Sequence, residues 1–478
     1  MKNISGSFFV INFIKKLDKV VKKCGEALVY IFTLEVLLMK FKSATELKTK
    51  LSCIISEMAT TPYLFVRNPN CDFSRNRKMN FETFLMFSLS MGAKSIQKEL
   101  LDYFSFDKNV ISESGFCQQR KKVLPETFEY LFRQFTDSNV SLNLYHGYRL
   151  LACDGTIVNV ARNPEDSDMF FHASGDKSDK GYSQLHLNAL YDLVNRIYID
   201  ATIMKERPNN ELRELEKMVD RSTLSEKAII VSDRGYECYN TFAHIIEKGW
   251  KFVIRIKDID SMGIARKYRL PNGEFDRNVE TIITRKQTNK VKAEPEKYTF
   301  IPQKGYFEYV DLHHNYYYPM SFRIVRFKIS EGSYECIATN LSQEDFPTET
   351  IKEIYRLRWG IETSFRELKY AVGLVNLHSR KLDFIKQEIF ARLTVYNFCE
   401  LITSKVIIEQ QKKNQYTYQA NFTMAIYICK KFLQSNPSQS PPDIELLIRR
   451  NTLPIRPGRK DPRKVRTQSA VSFLYRVA

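Results

Sequence analysis

Four polar residues, Tyr355, Arg358, Glu362 and Lys369, stand within fifteen positions of the segment IYRLRWGIETSFRELKYAVGL, whose apolar residues recur at helical spacing. At about 100° per residue, Ile354, Leu357, Ile361, Phe365, Leu368 and Val372 form one stripe. The four polar residues fall within about 60° of one another on an adjoining face, with Arg366 beside them. Such a stripe buries the helix against a sheet, and the polar row follows the edge of that contact, where a cleft can open. The plainer account is an i,i+4 pair between Arg358 and Glu362, worth a few tenths of a kcal/mol. Two more carboxylates stand in apolar company. Asp154 lies in the middle of LLACDGT, where an isolated charge is costly unless it is paired or metal-bound. Asp233 closes the apolar run of IIVSDRGY, at the strand end where α/β sheets commonly carry functional groups. Either aspartate alone is equally well a turn cap.

The elements that must position these residues are legible from residue 148 onward. YRLLACDGTIVNV, QLHLNALYDL and RIYIDATI read as strands, the last two joined as a hairpin around Asp192–Asn195. NELRELEKMVDRS is helical, KAIIVSDRGY a buried strand, YNTFAHIIEKG helical and KFVIRIK a strand. Three strands, helix, strand, helix, strand is the order of an α/β ribonuclease-H-like fold, a mixed sheet with its first three strands antiparallel. Residues 258–345 break the pattern with KYTFIP, YFEYVDL, YYYPMSFRIVRFKI and SYECIATNL, which read as an all-β insertion. Helices follow over 348–373 and about 382–412, completing the core to 413. Residues 414–478 form a helical C-terminal region with the basic tail RRNTLPIRPGRKDPRKVR.

Ahead of the core, residues 61–145 read as helices. SIQKELLDYF starts at Ser95 with Glu99 in its first turn, and ISESGFCQQRKKV starts at Ser112 or Ser114. Two short helices joined by a turn, the second carrying Gln119 and Arg120, suit either a DNA-reading helix-turn-helix or an ordinary helical hairpin. Residues 1–60 are an N-terminal extension. Their longest apolar run, ALVYIFTLEVLL, is too short to span a bilayer and contains Glu35. It reads as an amphipathic helix or as an upstream extension of the reading frame.

The charge balance, 73 basic against 55 acidic residues and a net +18, suits a polyanionic partner. Nine cysteines without a C-x-x-C pair argue against zinc ligation and a disulfide framework and fit a reducing cytosol. The seven histidines show no ligand spacing and read as structural or surface residues.

The spacing Y-x2-R-x3-E-x6-K resembles the signature of the DDE transposases of the insertion-sequence-four family. LLACDGT and IIVSDRGY resemble that family's two aspartate motifs, and ATNL before the helix and IRPGR in the tail are similar too. The resemblance runs in order over about residues 75–478. It implies that Asp154, Asp233 and Glu362 are catalytic and hold two Mg²⁺ ions, with Mn²⁺ able to substitute. Tyr355, Arg358 and Lys369 would hold DNA phosphates beside them. Trp359 either stacks on an unpaired base or is buried. Gln119 and Arg120 would read DNA, and Arg459 and Lys460 would grip its backbone. The implied activity is cut-and-paste transposition: cleavage at terminal inverted repeats and joining of 3′ ends to target DNA. A homodimer on paired ends is implied, in a bacterial cytoplasm at the nucleoid, with a hairpin intermediate open. The rival accounts are a metal-dependent nuclease on the same fold and an inactive transposase-derived DNA-binding protein.

Overall fold

The computed structural model describes residues 43–75, 77–138, 143–172, 181–205, 210–410, 415–435 and 443–456. The apolar run at 27–38 and the part of the basic tail from 457 onward, with Arg459 and Lys460, lie outside the described residues.

Among the described residues, five helices precede the sheet: α1 (Ala44–Thr60), α2 (Phe81–Ser90), α3 (Ile96–Tyr103), α4 (Glu113–Lys122) and α5 (Glu126–Ser138). α1 buries Leu47, Leu51, Ile55 and Met58, one stripe at helical spacing. Ser112 caps α4 by accepting from the Gly115 amide at 3.1 Å. At the start of α3 the Ser95 side chain makes no cap bond. Instead Glu99 reaches back, accepting from the amides of Gly92 at 2.9 Å and Lys94 at 2.8 Å.

The expectation that Gln119 and Arg120 face DNA does not hold. They are 7% and 3% exposed. The Arg120 guanidinium donates to the Phe384 carbonyl at 2.5 Å and to Glu388 at 2.9 Å. Phe116, one turn earlier, is buried in the core cluster that runs from α1 into the C-terminal helices. The polar end of α4 is therefore drawn inward with it.

The main sheet contains ten strands: β1 (Arg149–Val160), β2 (Phe170–Phe171), β3 (Tyr182–Asp192), β4 (Ile197–Lys205), β5 (Ala228–Ser232), β6 (Lys251–Ile256), β7 (Phe275–Thr284), β8 (Tyr298–Phe300), β9 (Tyr317–Ser330) and β10 (Ser333–Thr339). Between them run α6 (Glu211–Asp220) after β4, α7 (Tyr239–Glu247) after β5 and the short α8 (Asn289–Ala293) after β7. Neighbours run β3-β1-β5-β6-β10-β9-β7-β8, with β4 and β2 both pairing β3. β1, β3 and β4 are antiparallel, and β5 and β6 join parallel to β1. The β3–β4 hairpin turns where expected: Asp192 Oδ1 accepts from the amides of Val194 and Asn195, and Arg196 takes φ 57°.

Residues 258–345, read as an all-β insertion, carry strands that join the core sheet. β10 pairs β6 directly, and β9 and β7 continue outward, so these strands extend the core sheet. YFEYVDL is not a strand, and the strand Phe275–Thr284 stands where none was read. The reason is Arg285, whose guanidinium donates to the carbonyls of Pro302, Gln303, Gly305, Phe307 and Val310. One side chain thus satisfies a loop that would otherwise need a partner strand.

Then come α9 (Thr348–Leu357), α10 (Trp359–Glu367), a π-turn over Leu368–Val372 and α11 (Leu382–Thr403). The chain continues through β11 (Thr417–Ala420), α12 (Phe422–Gln434), α13 (Ile444–Arg450) and β12 (Thr452–Ile455). α11 is buried on nearly every side, polar residues included. It is the axis on which the N-terminal helices and β4 pack.

Candidate active site

Two aspartates are brought together by strand register. β1 and β5 pair in parallel from Arg149↔Ala228 to Ala152↔Val231. Carried two residues past its last pair, this register brings Asp154 towards Asp233, which follows the end of β5 and lies close enough to act on Asp154. By alternation, Asp154 shares the sheet face of Leu150 and Ala152, and Asp233 that of Ile229 and Val231. That face is the one covered by α9 and α10. Ala152 clusters with Ile361 and Phe365, while Leu150, Ile229 and Val231 cluster with Ile351, Ile354 and Tyr355. Glu362, one residue after Ile361, therefore stands over the aspartates.

Asp154 Oδ1 accepts from the Gly155 amide at 2.8 Å. Burial pushes its carboxyl up to about 6, the Gly155 amide and Arg358 oppose that rise, and Asp233 and Glu362 add to it. Asp233 and Glu362 thus both lie close enough to act on Asp154. Asp233 also does the plainer job, capping a 3₁₀ turn by accepting from the Gly235 amide at 2.8 Å.

Arg358 joins the two elements. Its Nη2 donates to Glu362 Oε1 at 2.7 Å, and its Nη1 lies 3.7 Å from Asp154 Oδ2. The residue sits at the single break between α9 and α10, where bonding shifts to i,i+3 pairs at 3.1 Å while φ −49° and ψ −35° stay helical. Arg358 is buried, yet its Nε has no hydrogen-bond partner.

The neighbours divide. Trp359 is 56% exposed, at the rim. Lys369 is half-buried and burial lowers its pKa, with no carboxylate acting against that. It lies in the π-turn, so residues past Glu367 leave the straight-helix phase assumed from sequence. Tyr355, expected at a phosphate, is instead buried in the core beside Leu150, with its hydroxyl bonded to Arg255. The stripe of which it forms the margin is buried at Ile354, Ile361, Phe365, Leu368 and Val372, whereas Leu357 is exposed.

Sequence reasoning missed two cations. An open cavity of about 560 Å³ is lined by Asp233, Arg234, Gly235, Lys257, Ser261 and Met262. Arg234 directly follows Asp233, a signal that was available. Lys257 follows β6 and gave none.

Could these carboxylates hold a metal? Among the described residues, no three His, Cys, Asp or Glu side chains close on one point as they stand. The donor chemistry nevertheless fits a hard divalent cation, since carboxylates from three elements face one cleft. A cation, the Arg358 guanidinium, already bridges two of them.

Residues 145–398 match the family described as Transposase DDE domain, a span of more than half the 478-residue chain. The chain belongs to this family. The matched span of the transposase DDE domain runs from just before β1 into α11 and contains Asp154, Asp233 and Glu362. A solved structure of the piggyBac transposase synaptic complex with hairpin DNA is similar over 85% of this chain and 84% of that one, at 11% identity and TM-score 0.43. No curated protein matches the chain.

Proposed function

We propose that the chain is a transposase of the insertion-sequence-four kind, in the Tyr-Arg-Glu-Lys subgroup, which cleaves DNA at terminal inverted repeats and joins the 3′ ends to target DNA. The observation that carries this is the register of β1 with β5, which brings Asp154 towards Asp233 under the helix that bears Glu362. The order β4-β3-β1-β5-β6, with helices between, supports a ribonuclease-H-like core extended by β7–β10. The net charge of +18 supports a DNA partner.

Asp154, Asp233 and Glu362 would hold the divalent cations. Bound there, two such ions supply activation of the attacking oxygen and stabilisation of the leaving oxygen in an in-line displacement. Arg358 keeps Asp154 and Glu362 apart until DNA arrives, then turns its guanidinium to a phosphate, which it can grip at two oxygens. Lys369 gains an anionic partner that it lacks among the described residues. Trp359 at the rim stacks on a base of the strand being cut. Two copies act on paired ends.

The test uses purified protein, Mg²⁺, a duplex carrying the inverted repeats that flank the gene, and a plasmid target. Joined products are expected. Cleavage without joining would make the chain a nuclease, and the absence of metal-dependent nicking would overturn the proposal.

A further inference from the structure

Behind Asp154, on the opposite face of β1, polar groups converge on Gly155. The register places Gly155 opposite Asn188, and Asn188 opposite Thr202, so a row of small or polar residues crosses β1, β3 and β4. His186, two residues from Asn188, shares that face, and Glu211 opens α6 beside it. A Cβ on Gly155 would press into His186 Nε2 and come 2.7 Å from Glu211 Oε1 and 2.9 Å from Asn188 Oδ1. The missing side chain leaves a cradle into which three ligand-type atoms point.

One of these atoms is left without a partner. Asn188 is fully buried and its Oδ1 has no hydrogen-bond partner, and the Thr202 hydroxyl across the strand is buried without one as well. A buried acceptor left without a donor is costly. Glu211 brings a carboxylate to the same place, and His186 Nε2 lies 2.8 Å from its Oε1. Ligands at adjacent corners of an octahedron about 2.0–2.2 Å from a common ion stand about 2.8–3.1 Å from each other. We propose that His186, Asn188 and Glu211 form a divalent-cation site separate from the carboxylates on the other face of β1. A mixed set of imidazole nitrogen, amide oxygen and carboxylate suits Mn²⁺ or Zn²⁺ better than Mg²⁺. Glu211 is 34% exposed at its side chain, which gives the ion a path to solvent. The bound ion ties β3 to α6 beside Gly155, directly beneath Asp154.

The experiment removes the other candidate ligands first. In the full chain carrying Asp154→Asn, Asp233→Asn and Glu362→Gln, Mn²⁺ is titrated and its paramagnetic resonance recorded. One Mn²⁺ per chain with nitrogen coupling from an imidazole is expected, together with a rise in melting temperature. Adding Glu211→Gln should weaken Mn²⁺ binding by about tenfold or more. A chain that binds no Mn²⁺, or binds it without nitrogen coupling, overturns the site, as does binding indifferent to Glu211→Gln. The coupling is read before Glu211 is touched, so the answer survives poor folding of that variant. Because the three active-site carboxylates are absent, the result stands apart from whether the chain joins DNA.

Discussion

Arg120 with Glu388 and Arg358 with Glu362 are the same pair of residue types used in two different ways. Arg120 and Glu388 are 4% and 5% exposed at their side chains. Arg120 Nε donates to Gln387 at 3.1 Å, Nη2 serves Phe384 and Glu388, and the guanidinium lies 4.7 Å from the centre of the Phe384 ring. Glu388 also accepts from the His378 amide at 3.0 Å. Arg358 has one short bond, one partner 3.7 Å away and an Nε with none, and its Glu362 is 35% exposed. The first pair is closed, and no buried nitrogen of Arg120 is left without a partner. The second has donors left over beside open space. Spare donors, rather than the presence of an arginine, mark a cation kept for a ligand.

The largest effects should divide along that line. Asp154→Asn, Asp233→Asn and Glu362→Gln should each abolish cleavage and joining while the protein melts close to the parent. Arg120→Ala and Glu388→Ala should each cost about 3–5 kcal/mol, because each leaves a buried charge unpaired. Urea denaturation beside a nicking assay reads both quantities. If Glu388→Ala melted like the parent, or if Glu362→Gln kept nicking, the contrast would fail.

Next in size are the cations of the cleft. Arg358→Ala and Lys369→Ala should fold normally and lose about tenfold or more in strand transfer, the order expected for a charge-assisted contact of about 1.5–3 kcal/mol. Arg358→Lys should restore little, since an ammonium cannot reproduce the two-pronged grip of a guanidinium on phosphate. Joining at the parental rate in both alanine variants would reduce Arg358–Glu362 to an ordinary helix pair.

The two regions also differ in how far sequence could describe them. The strands from 148 to 256 and the hairpin at Asp192–Asn195 were legible because alternation and turn residues are local signals. Asp154 and Asp233 stood out because charge interrupts buried strands. Arg120 misled because a basic residue on a short helix looks solvated until the partner that buries it, Glu388, arrives from 268 residues away. Tyr355 misled for a similar reason: it stands at the margin of the apolar stripe, and the sheet it packs on decides its side. Arg285 replacing a strand partner, and the cradle at Gly155, depend on contacts across the fold that no window of sequence contains.

The smallest expected effect separates burial from pairing on one helix. α11 carries Glu388 and Glu400, both buried. Burial acts to raise Glu388, but Arg120, His378 and Arg392 overcome it and hold the carboxyl well below its usual range. Burial pushes Glu400 up to about 7, against the pull of Arg196 and with a further push from Glu367. Arg196 donates to Oε1 at 2.8 Å, and Oε2 is buried without a partner. An unfolded glutamate titrates near 4.3, so the two residues act on stability with opposite sign. Glu388 contributes stability above about pH 4.3 and loses it as the pH falls. Glu400 contributes below about pH 4.3 and loses it as the pH rises through about 7. Glu388→Gln should therefore lie furthest below the parent at neutral pH and approach it in acid. Glu400→Gln should gain on the parent between pH 5 and pH 8 by a few degrees in Tm, about 2 °C for each kcal/mol in a chain this long. Parallel melting curves for parent and Glu400→Gln across that range would mean that Arg196 already compensates the burial, and the two ends of α11 would then be alike.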